Sequence, residues 1–155
     1  MENILRGFRL SGVALPQDQK DAFKQLSEKL VALSNRFAEN VLDSTQAWSL
    51  YIDTADVLKG VPDATLERLS ERAKQKGYNS GYLLGLDITI YLPVMQYCED
   101  RSVREALYRA FITRASIEGG HLPEHANEEV MVEIMEARKQ KASLLDLPSY
   151  ASLSV

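Results

Sequence analysis

Between residues 15 and 44 the apolar positions Phe23, Leu26, Leu30, Leu33, Phe37 and Val41 recur at gaps of three and four. That is the period of one helical face. Pro16 suits a first helical turn, and Asp18, Lys20, Lys24, Glu28, Lys29 and Glu39 fill the other sides. The pattern predicts an amphipathic rod of ~40 Å whose dry stripe needs a covering surface. After Asp43-Ser44-Thr45 the period changes to two. Trp48, Leu50 and Ile52 alternate with Ser49 and Tyr51, which predicts a half-buried strand closed by Asp53 and Thr54.

A short helical stretch to Lys59 is expected next. Gly60-Val61-Pro62-Asp63 then opens a second helix carrying Leu66, Leu69 and Ala73 on one side and ending at Gly77. Tyr82 to Ile88 is a second strand candidate of similar length to the first, and the two are expected to pair around the intervening helix. Pro93 interrupts Ile90 to Cys98, so a short helix with the proline in its first turn is expected there. Asp100 can cap a further helix bearing Val103, Leu107, Ala110 and Phe111, with Ser102 and Glu105 offering a capping box instead, and Gly119-Gly120 ends it. Asn127 with Glu128 and Glu129 starts a last helix with Val130, Ile134, Ala137 and Leu144 as its stripe, stopping before Pro148. The expected fold class is mainly α, with amphipathic helices including one long one and a small two-strand β element. No repeat, linker or low-complexity stretch divides the 155 residues, so they read as a single helical segment.

Composition narrows the class. Apolar residues are 45% and charged residues 26%, ordinary for a folded soluble chain. The net charge of -4 gives no overall pull toward nucleic acid or an anionic membrane, so neither is an expected partner. Cys98 is the only cysteine, which excludes an internal disulfide and fits a reducing compartment, most simply the cytoplasm. No run of ~18 apolar residues and no signal-like start occurs.

Both histidines fall in His121-Leu122-Pro123-Glu124-His125, the H-x-x-E-H spelling of an inverted zinc-peptidase motif. That chemistry needs both imidazoles on one helical face with the glutamate polarising metal-bound water. Gly119-Gly120 before the motif and Pro123 inside it put His121 outside any helix, so a solvated loop is expected. Glu129, Glu133 and Glu136 share a helical face, but a carboxylate-bridged metal site also needs Glu-x-x-His pairs, and the sole such spelling, Glu118 to His121, falls on the glycine break. A solvated acidic face is expected instead. Arg101, Arg104, Arg109 and Arg114 make one helix locally basic and Tyr108 could stack on a ligand, while Glu99, Asp100 and Glu105 dilute the field against RNA. No serine lies in a nucleophile elbow, and no Walker-type or dinucleotide fingerprint is present. Trp48, Tyr91 and Phe111 read as core anchors and Cys98 as a buried small hydrophobe.

Several stretches, in order, resemble the oligopeptidase A and thimet oligopeptidase group of zinc metallopeptidases upstream of the catalytic motif. They are Phe8 to Pro16, Phe37 to Asp43, Tyr82 to Asp87, Tyr91 to Met95, Arg104 to Ala110 with Arg114-Ala115-Ser116, and Tyr150 to Ser154. The resemblance covers nearly all of Ile4 to Val155 and falters between Ile117 and Glu128, where the family usually carries a Gly/Asn-rich loop. It also departs at Asp146, where the family tends to have glycine after the pair matching Leu144-Leu145.

The resemblance implies a cytoplasmic endopeptidase cutting short peptides in a channel between two mostly helical halves, with zinc held by H-E-x-x-H and a further glutamate. No stretch of this chain matches that motif. No catalytic or metal residue is therefore assigned within it, no substrate-binding residue is placed, and no cofactor is expected in the chain itself. The expectation is a non-catalytic fragment, residues 1–155, amino-terminal to the zinc-binding region of a larger helical peptidase fold. Its partners would be the missing catalytic portion of the same polypeptide and, for the parent, short peptides. Both ends look internal: Asn3 to Phe8 lacks a clear cap, Ile4 to Phe8 would finish a preceding helix, and Leu153-Ser154-Val155 has no polar tail. Self-association through uncovered helix faces is also expected. The rival readings are a free-standing helical interaction or oligomerisation module using the Phe23 to Val41 stripe, and a small metalloenzyme using His121 and His125.

Overall fold

The computed structural model describes residue 7 and residues 10–154. Apart from Gly7, the reading of Ile4 to Phe8 as a helix end lies outside the described residues. In chain order the elements are α1 (Gln17–Ala47), β1 (Leu50–Ile52), a 3-10 turn (Ala55–Leu58), α2 (Asp63–Gln75), β2 (Tyr82–Leu84), α3 (Ile88–Tyr97), α4 (Arg101–Ile112), a 3-10 turn (Pro123–His125), α5 (Glu128–Leu144) and α6 (Ala151–Ser154). The fold is mainly helical with a small two-stranded sheet. It divides into two compact units, residues 1–38 with 128–155, and residues 39–127.

In the first unit the opening part of α1 runs antiparallel to α5. Lys29 Nζ meets Glu133 at 3.4 Å, and Lys141 Nζ sits 4.6 Å from the centre of the Phe23 ring. The smaller residue number on one helix meets the larger on the other, which fixes the direction. Leu30, Leu33, Val130 and Ala137 are buried. Desolvation there pulls the Lys141 ammonium below its ordinary pKa.

The second unit holds the larger core, in which Leu58, Leu69, Leu84, Val94 and Leu107 are fully covered. β1 and β2 pair antiparallel, with Leu50 opposite Leu84 and Ile52 opposite Tyr82. The expected pairing is present, but β2 stops at Leu84 instead of reaching Ile88. The Asp87 carbonyl accepts from Ile90 N at 2.9 Å and Tyr91 N at 2.8 Å, so helix begins there. Arg72 Nη1 holds the Asp87 carboxylate at 2.6 Å, tying this corner to α2.

The same early start moves Pro93 into the interior of α3, not its first turn. Proline has no N–H for the Thr89 carbonyl, but Thr89 is exposed to water while Ile90 and Val94 are buried and hold the helix in place. α4 likewise ends at Ile112, well before Gly119-Gly120. Its last turn is closed by Thr113, and Ala115 turns left-handed at φ 54° with its amide taken by the Ser44 hydroxyl at 3.0 Å.

Candidate functional site

The most connected polar site in the second unit lies where the end of α1 meets the segment between α4 and α5. On α1 the positions three, seven and eleven residues after Leu33 are Arg36, Asn40 and Ser44. Leu33, Asn40 and Ser44 are buried, so the covered stripe becomes polar along the helix. Asn40 Nδ2 donates to Asn127 Oδ1 at 2.9 Å and to the Ala126 carbonyl at 3.3 Å. The Asn127 amide in turn donates to the Ala115 carbonyl at 2.8 Å.

His121 stands in the same network and is 8% exposed, so the solvated-loop expectation is wrong at this residue. The ring was expected in water because glycines and a proline flank it. Its partners Ser44 and Ala110 lie 77 and 11 positions away, outside the flanking residues on which that expectation rested. Nε2 lies 2.8 Å from the Ala110 carbonyl, which can only accept, so this nitrogen carries the proton. In the neutral ring Nδ1 then accepts the Ser44 hydroxyl proton at 2.9 Å, while Ser44 Oγ accepts the Ala115 amide. Every polar group in this chain of bonds has a partner. The signal available in sequence was Asn40 and Ser44 at helical spacing on an otherwise apolar stripe.

These bonds give His121 a structural place. Both imidazole nitrogens of His121 are committed to protein groups, and His125 sits in a separate 3-10 turn. His121 and His125 do not share a helical face, and Glu118 falls in the turn before them. Among the described residues no three His, Cys, Asp or Glu side chains come together as a metal-holding group. The residues present do not fit a zinc ion. Glu133 pairs with Lys29, and Glu129 and Glu136 are exposed on α5.

The basic residues of α4 have diverse roles. Arg104 Nη1 donates to the Cys98 carbonyl, and Arg109 pairs with Glu105 at 2.9 Å. Arg114 Nε donates to the Phe111 carbonyl while its guanidinium lies 3.7 Å above the Phe111 ring, which stacks on Tyr91. Tyr91, Phe111 and Trp48 pack against the core as expected. Cys98 is 3% exposed, and burial raises its thiol pKa. That is opposite to what a reactive thiolate needs. Tyr108 remains exposed beside Arg104 and Arg101.

No helix among the described residues is long and apolar enough to cross a membrane. Residues 94–155 match peptidase family M3. The chain is 39% identical over 155 residues to oligopeptidase A of Haemophilus influenzae, covering 100% of this chain and 23% of that protein. Over its whole length the chain is similar to oligopeptidase A. Oligopeptidase A of Escherichia coli gives the same identity and coverage, and a probable cytosolic oligopeptidase A of Arabidopsis thaliana is 36% identical over 152 residues, covering 94% of this chain and 21% of its own. The chain thus spans under a quarter of the length of these oligopeptidase A relatives.

Proposed function

We propose that these residues form a scaffold portion of an oligopeptidase A-like zinc metallopeptidase that hydrolyses short peptides in the cytoplasm. In this reading the metal ligands and general base lie outside residues 1–155, in a region to which this portion is amino-terminal. The helices contribute to the wall of the substrate channel and pack against the catalytic portion of the same polypeptide. The observation that carries the proposal is end-to-end similarity to oligopeptidase A over the whole chain but only 23% of the relative. The engagement of both His121 nitrogens supports a structural role for the one motif that spells metal chemistry.

The test begins with the reading frame. It is expected to continue past Val155 to an H-E-x-x-H segment. The complete protein should cleave an internally quenched short peptide and lose that activity to a zinc chelator, whereas residues 1–155 alone should not turn the peptide over. Sustained cleavage by residues 1–155, indifferent to chelation, would overturn the proposal.

A further inference from the structure

One face of α4 carries Arg101, Arg104, Glu105 and Tyr108, spaced as near neighbours along a helix, and with Met95 of α3 they line a cleft of about 330 Å³. The acids that dilute the positive charge of this stretch in sequence are each engaged. Glu99 pairs with Lys59 at 2.9 Å. Asp100 accepts from Ser102 N and Oγ at 2.7 and 2.6 Å and from Val103 N at 3.3 Å. Glu105 accepts from Arg109 Nε at 3.0 Å and Nη2 at 2.9 Å. Arg104 gives one donor to the Cys98 carbonyl and its charge adds to the Ser102 and Val103 bonds in lowering the Asp100 pKa, and neither Arg101 nor Arg104 forms an ion pair among the described residues.

We infer that this cleft binds a peptide carboxylate, with the guanidinium groups of Arg101 and Arg104 as its donors. A planar guanidinium matches a carboxylate in two parallel hydrogen bonds. Two arginines against Glu105 leave a net single positive charge on the lining, which one carboxylate neutralises. Met95 and the exposed Tyr108 ring give the adjoining side chain of the ligand an apolar surface. The volume suits one residue of a short peptide. The choice of a peptide as the source rests on the proposed function. Binding to residues 1–155 is read without turnover, so failure here and failure of the peptidase reading are separate results.

The experiment is an amide chemical-shift titration of the full 155-residue chain with three probes: acetyl-Ala-Ala-Leu as free acid, the same peptide as its amide, and acetyl-Ala-Glu-Ala-amide. Saturable shifts at Arg101, Arg104 and Tyr108 are expected for a probe with a free carboxylate and not for the uncharged amide. The acid assigns a terminal carboxylate and the glutamate peptide a side-chain one. Affinity should be roughly millimolar at low salt and fall as salt is added. Arg101→Gln, which removes no contact within the fold, should weaken binding at least about fivefold, while Arg68→Gln on α2 should leave it unchanged. Equal shifts from acid and amide, no saturable shift from either carboxylate probe, or Arg101→Gln binding like the unsubstituted chain would overturn the inference.

Discussion

Gly77 and Asp146 close their helices with the same pair of hydrogen bonds. At the end of α2, Gly77 N donates to the Lys74 carbonyl at 2.9 Å and Tyr78 N to Ala73 at 3.1 Å. At the end of α5, Asp146 N donates to Ser143 at 3.1 Å and Leu147 N to Ala142 at 3.0 Å. Both are Schellman caps, which need a left-handed residue, and φ is 89° at Gly77 and 54° at Asp146. Asp146→Gly should therefore stabilise the chain by about 0.5–1 kcal/mol, less than the full left-handed penalty because glycine also loosens the unfolded chain. Gly77→Ala should cost about 1 kcal/mol, and urea unfolding of the pair reads both signs. The departure at Asp146 was legible in sequence as an aspartate where glycine is usual. His121 was not, because its partners Ser44 and Ala110 come from other parts of the chain. His121→Ala leaves the Ser44 hydroxyl proton and the Ala110 carbonyl without the ring as partner and opens a cavity, so a loss of about 3 kcal/mol is expected, against under about 0.5 kcal/mol for the half-buried His125. Zinc content should not change in either variant. A zinc-dependent shift in unfolding midpoint, abolished by His121→Ala, would contradict this assignment.

Among the elements, α4 shows how a local signal survives folding. Asp100 was legible as a cap because its bonds reach only two and three residues ahead. The bond from the Ser102 hydroxyl, and then those from the Ser102 and Val103 amides, hold its carboxyl below the usual value of 3.8. Stabilisation from a carboxyl whose folded pKa is lowered is fully present above its unfolded pKa and is lost as pH falls through the folded value. Asp100→Ala should thus lower the melting temperature by a few degrees at neutral pH. The gap from the unsubstituted chain should narrow below about pH 3.8. A gap independent of pH would mean that Asp100 does not act as a charged cap. The ends of β2 and α4 were less legible for the opposite reason. Asp87 starts a helix inside the Tyr82 to Ile88 stretch read as strand, and α4 stops short of the Ala115 amide, which a hydroxyl on another helix captures. Neither competitor touches the cues on which the expectations rested, the paired apolar stretches and the Gly119-Gly120 break, so the longer helices and the strand pair were readable while these boundaries, the turn at Pro123–His125 and the short helix Ala151–Ser154 were not.

At the scale of the whole molecule, the apolar period identified which helix faces are dry but could not say which stay covered. On α5, Val130 and Ala137 are buried, whereas Met131, Val132 and Met135 are 47%, 59% and 65% exposed. These three lie within little more than one turn and form a continuous apolar strip, the kind of surface a protein rarely leaves to water. A net charge of only -4 spread over 155 residues offers weak repulsion between copies. The chain is therefore expected to self-associate as concentration rises, in line with a portion that packs against other parts of a longer polypeptide. Sedimentation equilibrium over a wide concentration range reads this directly. The double substitution Val132→Glu with Met135→Glu should raise the dissociation constant about tenfold or more, since burying two carboxylates costs more than the ~1.4 kcal/mol that corresponds to a factor of ten. Both side chains are exposed and make none of the core contacts, so the variant should keep its helical signal and unfolding midpoint. A chain that stays monomeric at millimolar concentration, or a variant that associates as strongly as the parent, would remove α5 as the sticking face.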